Sequence, residues 1–93
     1  MHFTKRLREP IQRGEITSSV RIWQRPHVKL GGRYPLPPGQ IEVTRINEIA
    51  LADVTPELAR QGGFAGVVDL LKVAKHGRGE RVFLVEFRYL EPP

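Results

Sequence analysis

Apolar and polar residues alternate with a period of two in three stretches of the chain, and these stretches set the β framework. The clearest is Arg81 to Leu90, where Phe83, Val85, Phe87 and Tyr89 alternate with Leu84, Glu86 and Arg88 ahead of Pro92, which predicts a strand. Gln40 to Leu51 alternates in the same way, with Ile41, Val43 and Ile49 directed inward, and predicts one long strand or two. The run Ile16 to Ile22 is rich in β-branched residues. Ile16, Val20 and Ile22 fall on one face and Thr17, Ser19 and Arg21 on the other, so it predicts a strand whose second face is polar.

Elsewhere the spacing is helical. Phe3, Leu7 and Ile11 recur at three to four residues, but Pro10 interrupts the run and predicts a short, broken helix. At Thr55-Pro56-Glu57 a hydroxyl cap precedes a proline at the first helical position and an acid that complements the helix dipole; this helix is expected to stop at Gly62-Gly63. A second helix is expected over about Phe64 to His76, with Val67, Leu70, Leu71 and Ala74 on its inner face. Lys72, Lys75 and His76 complement the dipole near its end, and Gly77 follows as the terminating glycine. Between Gln24 and Gly39 the succession Pro26, Gly31-Gly32, Pro35 and Pro37-Pro38 predicts loop with at most a short strand around Val28.

The order is helix, strands, two helices, strand. Short strands need closure or cover at their edges, so the expectation is an α+β fold: a small, partly closed β-barrel of about five to six strands, plugged by two to three short helices. With 93 residues there is room for one core, and residues 1–93 are expected to form a single domain.

Composition adds exclusions. No apolar run approaches the roughly 20 residues that span a bilayer, and the opening MHFTKRLREP lacks the apolar stretch of a secretory signal, so a soluble, cytoplasmic protein without a membrane partner is expected. There is no cysteine, and His2, His27 and His76 show no ligand spacing, so neither a metal nor another cofactor is expected. The net charge of +5 is unevenly spread. Residues 1–45 carry nine Lys and Arg against three acids, whereas residues 46–93 carry six against seven. Such asymmetry fits a nucleic-acid or acidic partner, and fits equally a solvated basic face.

The densest candidate chemistry lies at Trp23-Gln24-Arg25-Pro26-His27-Val28-Lys29-Leu30-Gly31-Gly32-Arg33-Tyr34, which interleaves aromatics and a histidine with cations, as unpaired bases and their phosphates require. Arg21, Arg25, Lys29 and Arg33 are the phosphate candidates; Trp23, His27 and Tyr34 are the stacking candidates, with a core position the competing reading for Trp23.

The stretch Phe3 to Arg21 has a glycine after a short helix and an arginine seven residues later on a Thr/Ser-rich strand. Gly14 and Arg21 thus stand at the spacing of the signature G-x-K-x-x-x-x-R, and there follow in order Ile49-Ala50-Leu51, Asp53 to Ala59, Gly63-Phe64 before an amphipathic helix, and the closing Val82 to Phe87. In this ordered set, over nearly its whole length, the chain resembles the ASCH domains, whose barrel is shared with the PUA-like RNA-binding domains. The resemblance implies RNA binding in a cleft beside the signature strand. It also implies a rival, since some members are hydrolases: N4-acetylcytidine amidohydrolases and a ribonuclease. In the amidohydrolases a Lys at the third signature position, a Thr three residues on and a Glu before the second helix carry the chemistry. Those positions fall here on Ile16, Ser19 and Gly62, and isoleucine and glycine neither take nor give a proton. Glu15 does not replace the Lys, because neighbouring strand residues point to opposite faces.

The leading expectation is therefore a non-hydrolytic module that binds single-stranded or modified RNA, or a nucleotide, through a basic cleft. The rival is a hydrolase using Ser19 or Thr17 with His27 and Lys29 in place of the usual set. A third reading is a protein-interaction module whose basic loop docks an acidic partner.

Overall fold

In a computed structural model, which describes residues 3–74 and 80–93, the chain runs α1 (Lys5–Gln12), β1 (Ser18–Trp23), β2 (Arg33–Leu36), β3 (Gly39–Ile49), a single 3-10 turn (Leu51–Asp53), α2 (Pro56–Gln61), α3 (Val67–Ala74) and β4 (Arg81–Leu90). The strands form one antiparallel sheet in the order β1-β4-β3-β2, curled into a half-barrel. The α+β class is as expected. The sheet has four strands among the described residues rather than five or six.

β4 holds the sheet together. It pairs with β1 from Ser18↔Glu86 to Trp23↔Arg81 and with β3 from Gln40↔Leu90 to Ile49↔Val82, with one irregularity between Val43 and Arg45. Its alternation sends Val82 and Leu84 to one face, where Val20, Ile22 and Ile49 join them under α2 and α3, through Val54, Ala59, Leu70 and Ala74. Its other residues line the concave face in two groups. Phe87 packs with Ile41, Leu36, Ile16 and the α1 residues Leu7 and Ile11; Phe83 and Val85 pack with Val43, Val28 and Trp23. Burying side chains of this size stabilises by about 1.5–3 kcal/mol each before entropy is charged.

Three expectations need correction. α1 is continuous through Pro10, which removes one intrahelical bond; burial of Leu7 and Ile11 offsets the loss. Residues Arg33–Leu36, expected as loop, form β2; it is an edge strand, where Pro35 removes no interior ladder bond. α3 begins at Val67, not Phe64, while Lys75, His76 and Gly77 lie outside the described residues. The second face of β1 carries Ser19 and Arg21, as the alternation predicts, and Ser19, Arg21 and Trp23 on it are all buried, with the Phe3 ring over Arg21 and the segment after β1 over Trp23. The α2 start is as the residues specify, with the Thr55 hydroxyl accepting from Leu58 N at 3.2 Å and Pro56 at the first helical position.

α1 is tied to the α2–α3 junction at Gly63. This residue has φ +90°, and an added Cβ would lie 2.6 Å from Leu7 Cδ2 and 2.7 Å from Ile16 Cδ1. Arg6 Nη1 donates to Gly63 O at 2.8 Å and its guanidinium lies over the Phe64 ring. Gly63→Ala is expected to lower stability by more than about 1 kcal/mol in urea unfolding. Gly66→Ala, where a Cβ meets open space, serves as the control and should not.

Beyond the helices, the uncovered half of the sheet carries ion pairs. Arg33 Nε and Arg88 Nε donate to the two oxygens of Glu42 at 3.2 and 2.9 Å, and Arg45 faces Glu86 at 3.7 Å. The bonds from Arg88 and then Arg33 hold the Glu42 carboxyl below its ordinary 4.5. A lowered carboxyl pKa contributes stability above the unfolded value and loses it as pH falls through the folded one. Glu42→Gln should therefore flatten the decline of the urea midpoint below about pH 4.5, compared with the parent chain.

Candidate functional site

The residues that the sequence assigns to one cleft are divided by the fold between two places. Arg21 and Ser19 lie in the first, a cavity of about 190 Å³ against the edge strand β1. Phe3, Thr4 and Leu7 of the α1 end, Phe64, and Val73 and Ala74 of α3 supply the rest of its walls. Val20 also lines it, although it points to the opposite sheet face from Ser19 and Arg21. The cavity therefore lies at the strand's edge rather than on one face. Phe3, ahead of α1, lies over Arg21 on one face of β1, α3 packs against β1, and among the described residues no strand pairs that edge.

Arg21 gives the cavity its charge. Its side chain is held by Nε donating to Ser19 Oγ at 2.8 Å, two residues back on the same face of β1, and by the Phe3 ring, whose centroid is 5.1 Å from the guanidinium carbon. Arg21 is 7% exposed, and this burial lowers its pKa from the ordinary guanidinium range to about 10. The group remains a cation at neutral pH. Among the described residues, no acidic side chain lines the cavity. A desolvated guanidinium in a mainly apolar recess interacts more strongly with an incoming acceptor than it would in water.

The second place is the segment after β1. Trp23 is 2% exposed and packs among Val28, Val43, Phe83 and Val85, with the His27 ring stacked over it at 4.7 Å and 16°. As a platform for a base, Trp23 needs correction, since its faces are already covered; the core reading holds. Tyr34 is half-buried, and its hydroxyl accepts from Lys29 N at 2.8 Å. Arg33 is paired to Glu42, while Arg25, His27 and Lys29 have exposed side chains. The segment is ordered on the sheet: Gly31 N donates to Val43 O and Val43 N to Gly32 O, with Gly31 at φ +77°.

The rival catalytic set is not assembled. Ser19 lines the cavity, but His27 and Lys29 do not, and Thr17 is exposed just before β1. Ile16 and Gly62 do lie in one neighbourhood: Ile16 approaches Gly63, and a Cβ at Gly62 would be 3.6 Å from Ser18 O. That neighbourhood is filled by apolar side chains, and Glu15 is paired with Arg13. Among the described residues no group of His, Asp and Glu is arranged to hold a metal. No described helix is long and apolar enough to cross a membrane.

Sequence reasoning missed the aromatic walls, Phe3 and Phe64, and the cations of α1. Lys5 and Arg8 are exposed beside Thr4 and Leu7 of the cavity wall. The available signal was the amphipathic pattern of α1, whose basic residues fall on the side away from Leu7 and Ile11. No protein-family model, no curated protein and no solved structure matches the chain.

Since burial disfavours the charged Arg21, replacing it by an apolar side chain of similar length relieves a cost of folding. Arg21→Met is expected to leave the urea midpoint at pH 7 unchanged or raise it. A loss above about 2 kcal/mol would mean that the contacts of the fork outweigh its desolvation.

Proposed function

We propose that this protein is an RNA-binding module of ASCH type that holds one unstacked base of a single strand in the Arg21 cavity. The observation that carries the reading is the placement of a buried arginine fork and a serine hydroxyl in a recess walled by Phe3 and Phe64. Single-stranded RNA is recognised by splaying out a base, packing its faces on apolar or aromatic side chains and hydrogen-bonding its edge. The cavity supplies each of these elements. Its volume equals the share of about six waters in the liquid, which is the scale of a single base rather than of a chain.

Phosphates flanking that base would meet Lys5 and Arg8 on α1. Arg25 and Lys29 offer further exposed cations on the loop after β1. Stacking by Trp23 has no part in this version. Binding is favoured over hydrolysis because, among the described residues, no His, Lys, Asp or Glu lines the cavity beside the Ser19 hydroxyl.

Anisotropy titration of a labelled single-stranded RNA against salt tests the proposal. Affinity should fall linearly in log–log form, by about 0.7 in slope for each phosphate contacted. Lys5→Ala with Arg8→Ala should make that slope shallower by about 1.4 while leaving the fold intact. Absence of binding at low salt, or binding indifferent to salt, overturns it.

A further inference from the structure

We infer that His27 is a second platform for the strand: its outward ring face stacks an unpaired base neighbouring the one held at the cavity. The inference rests on the RNA-binding reading and adds a subsite to it. The His27 ring lies over the indole of Trp23, with centroids 4.7 Å apart and planes 16° from parallel. Trp23 is 2% exposed and packs on Val28, Val43, Phe83 and Val85 of the core. His27 itself is exposed. One face of the imidazole is thus occupied by the indole, and the opposite face meets solvent. A flat ring backed by a second flat ring is the kind of surface that an unpaired base covers.

The backbone on either side of His27 is held by the fold. Arg81 Nη1 donates to Gln24 O at 3.2 Å, and Glu48 accepts from the same guanidinium at 3.1 and 2.8 Å. Pro26 restricts the chain just ahead of the ring. After it, Val28 is buried in the Trp23 cluster and Lys29 N donates to Tyr34 Oη at 2.8 Å. A ring held in this way has little freedom left to lose when a ligand binds. The placement suits a strand. Trp23 follows Arg21 by two residues on the same face of β1, about 7 Å along it. Arg25 and Lys29, both exposed, flank His27 in the loop and can meet the phosphates of the stacked nucleotide. Stacking reads no base edge, so this subsite takes any base and favours purines for their larger face. The competing role for His27, a lid over Trp23, asks only for an apolar side chain.

His27→Leu, which keeps Trp23 covered without an aromatic face, and His27→Tyr, which keeps the face, separate the two roles. With 5′-labelled hexaadenylate titrated by anisotropy at low salt, His27→Leu should bind at least about fivefold more weakly than the parent chain and His27→Tyr within about twofold of it. The urea midpoint of His27→Leu should be unchanged or higher, and its log–log salt slope equal to the parent's, because no phosphate contact is lost. Proton NMR reads the stack in the parent protein even where a variant does not fold: the His27 Hδ2 and Hε1 signals should move upfield on saturation with hexaadenylate, under the ring current of the base. Binding by His27→Leu as tight as the parent's, or His27 signals unmoved at saturation, overturns the inference and leaves the RNA-binding reading standing. A shallower salt slope in His27→Leu overturns it as well, because the ring would then be meeting a phosphate as a cation. Failure of hexaadenylate to bind the parent chain at low salt overturns the RNA-binding reading, and this inference with it.

Discussion

β4 pairs with β1 over Arg81–Glu86 and with β3 over Val82–Leu90, and the rest of the molecule is arranged around that strand. A chain this short has little core to spare, so one strand must feed all three apolar clusters. Val82 and Leu84 serve the helical side, Phe83 and Val85 the Trp23 group, and Phe87 the α1 group. The even positions then change character to Glu86 and Arg88, and the helical cover gives way to ion pairs on an open sheet. Because β4 takes β1 as its outer neighbour, β1 has one edge that no strand pairs among the described residues, and the cavity lies beside it.

What could be read from the sequence follows the same division. β4, β3 and the α2 start were legible because each is specified locally, by strict alternation or by a cap with a proline behind it. The inner face of α3 was legible for the same reason, as Leu70 and Ala74 are the buried positions of a helical repeat. α1 was not read as continuous, since the penalty at Pro10 is local while the burial that offsets it comes from Phe87, Ile41 and Leu36, distant in sequence. β2 was missed because Pro35 argues against a central strand, and nothing local says that this strand is at an edge.

The site was half legible. Arg21 and Ser19 drew attention by position, and they do line one cavity. Their polar alternation marks a face that the fold covers, with a bonded pair inside it; period-two polarity by itself does not say whether such a face meets water. Trp23 looked like part of the same cleft because it lies near Arg21 in sequence. Its ring instead fills the core beneath its own loop, and His27 closes over it. Phe3, which lies over Arg21, and Phe64, which lines the same cavity, come from opposite ends of the first two-thirds of the chain and meet where α1 contacts Gly63.

That contact also links core packing to the shape of the cavity. Gly63 lets Leu7 and Ile16 approach the α2–α3 junction, and Arg6 fastens α1 to the same point through Gly63 O and the Phe64 ring. Phe64 belongs to the helical cluster and to the α1 cluster at once, so it moves only if both do. The cavity walls are therefore set by core packing, while its one charge is a residue that core packing disfavours. A recess built in this way has sides set by core packing and a cation held within it by Ser19 and Phe3, so its geometry follows from the fold itself.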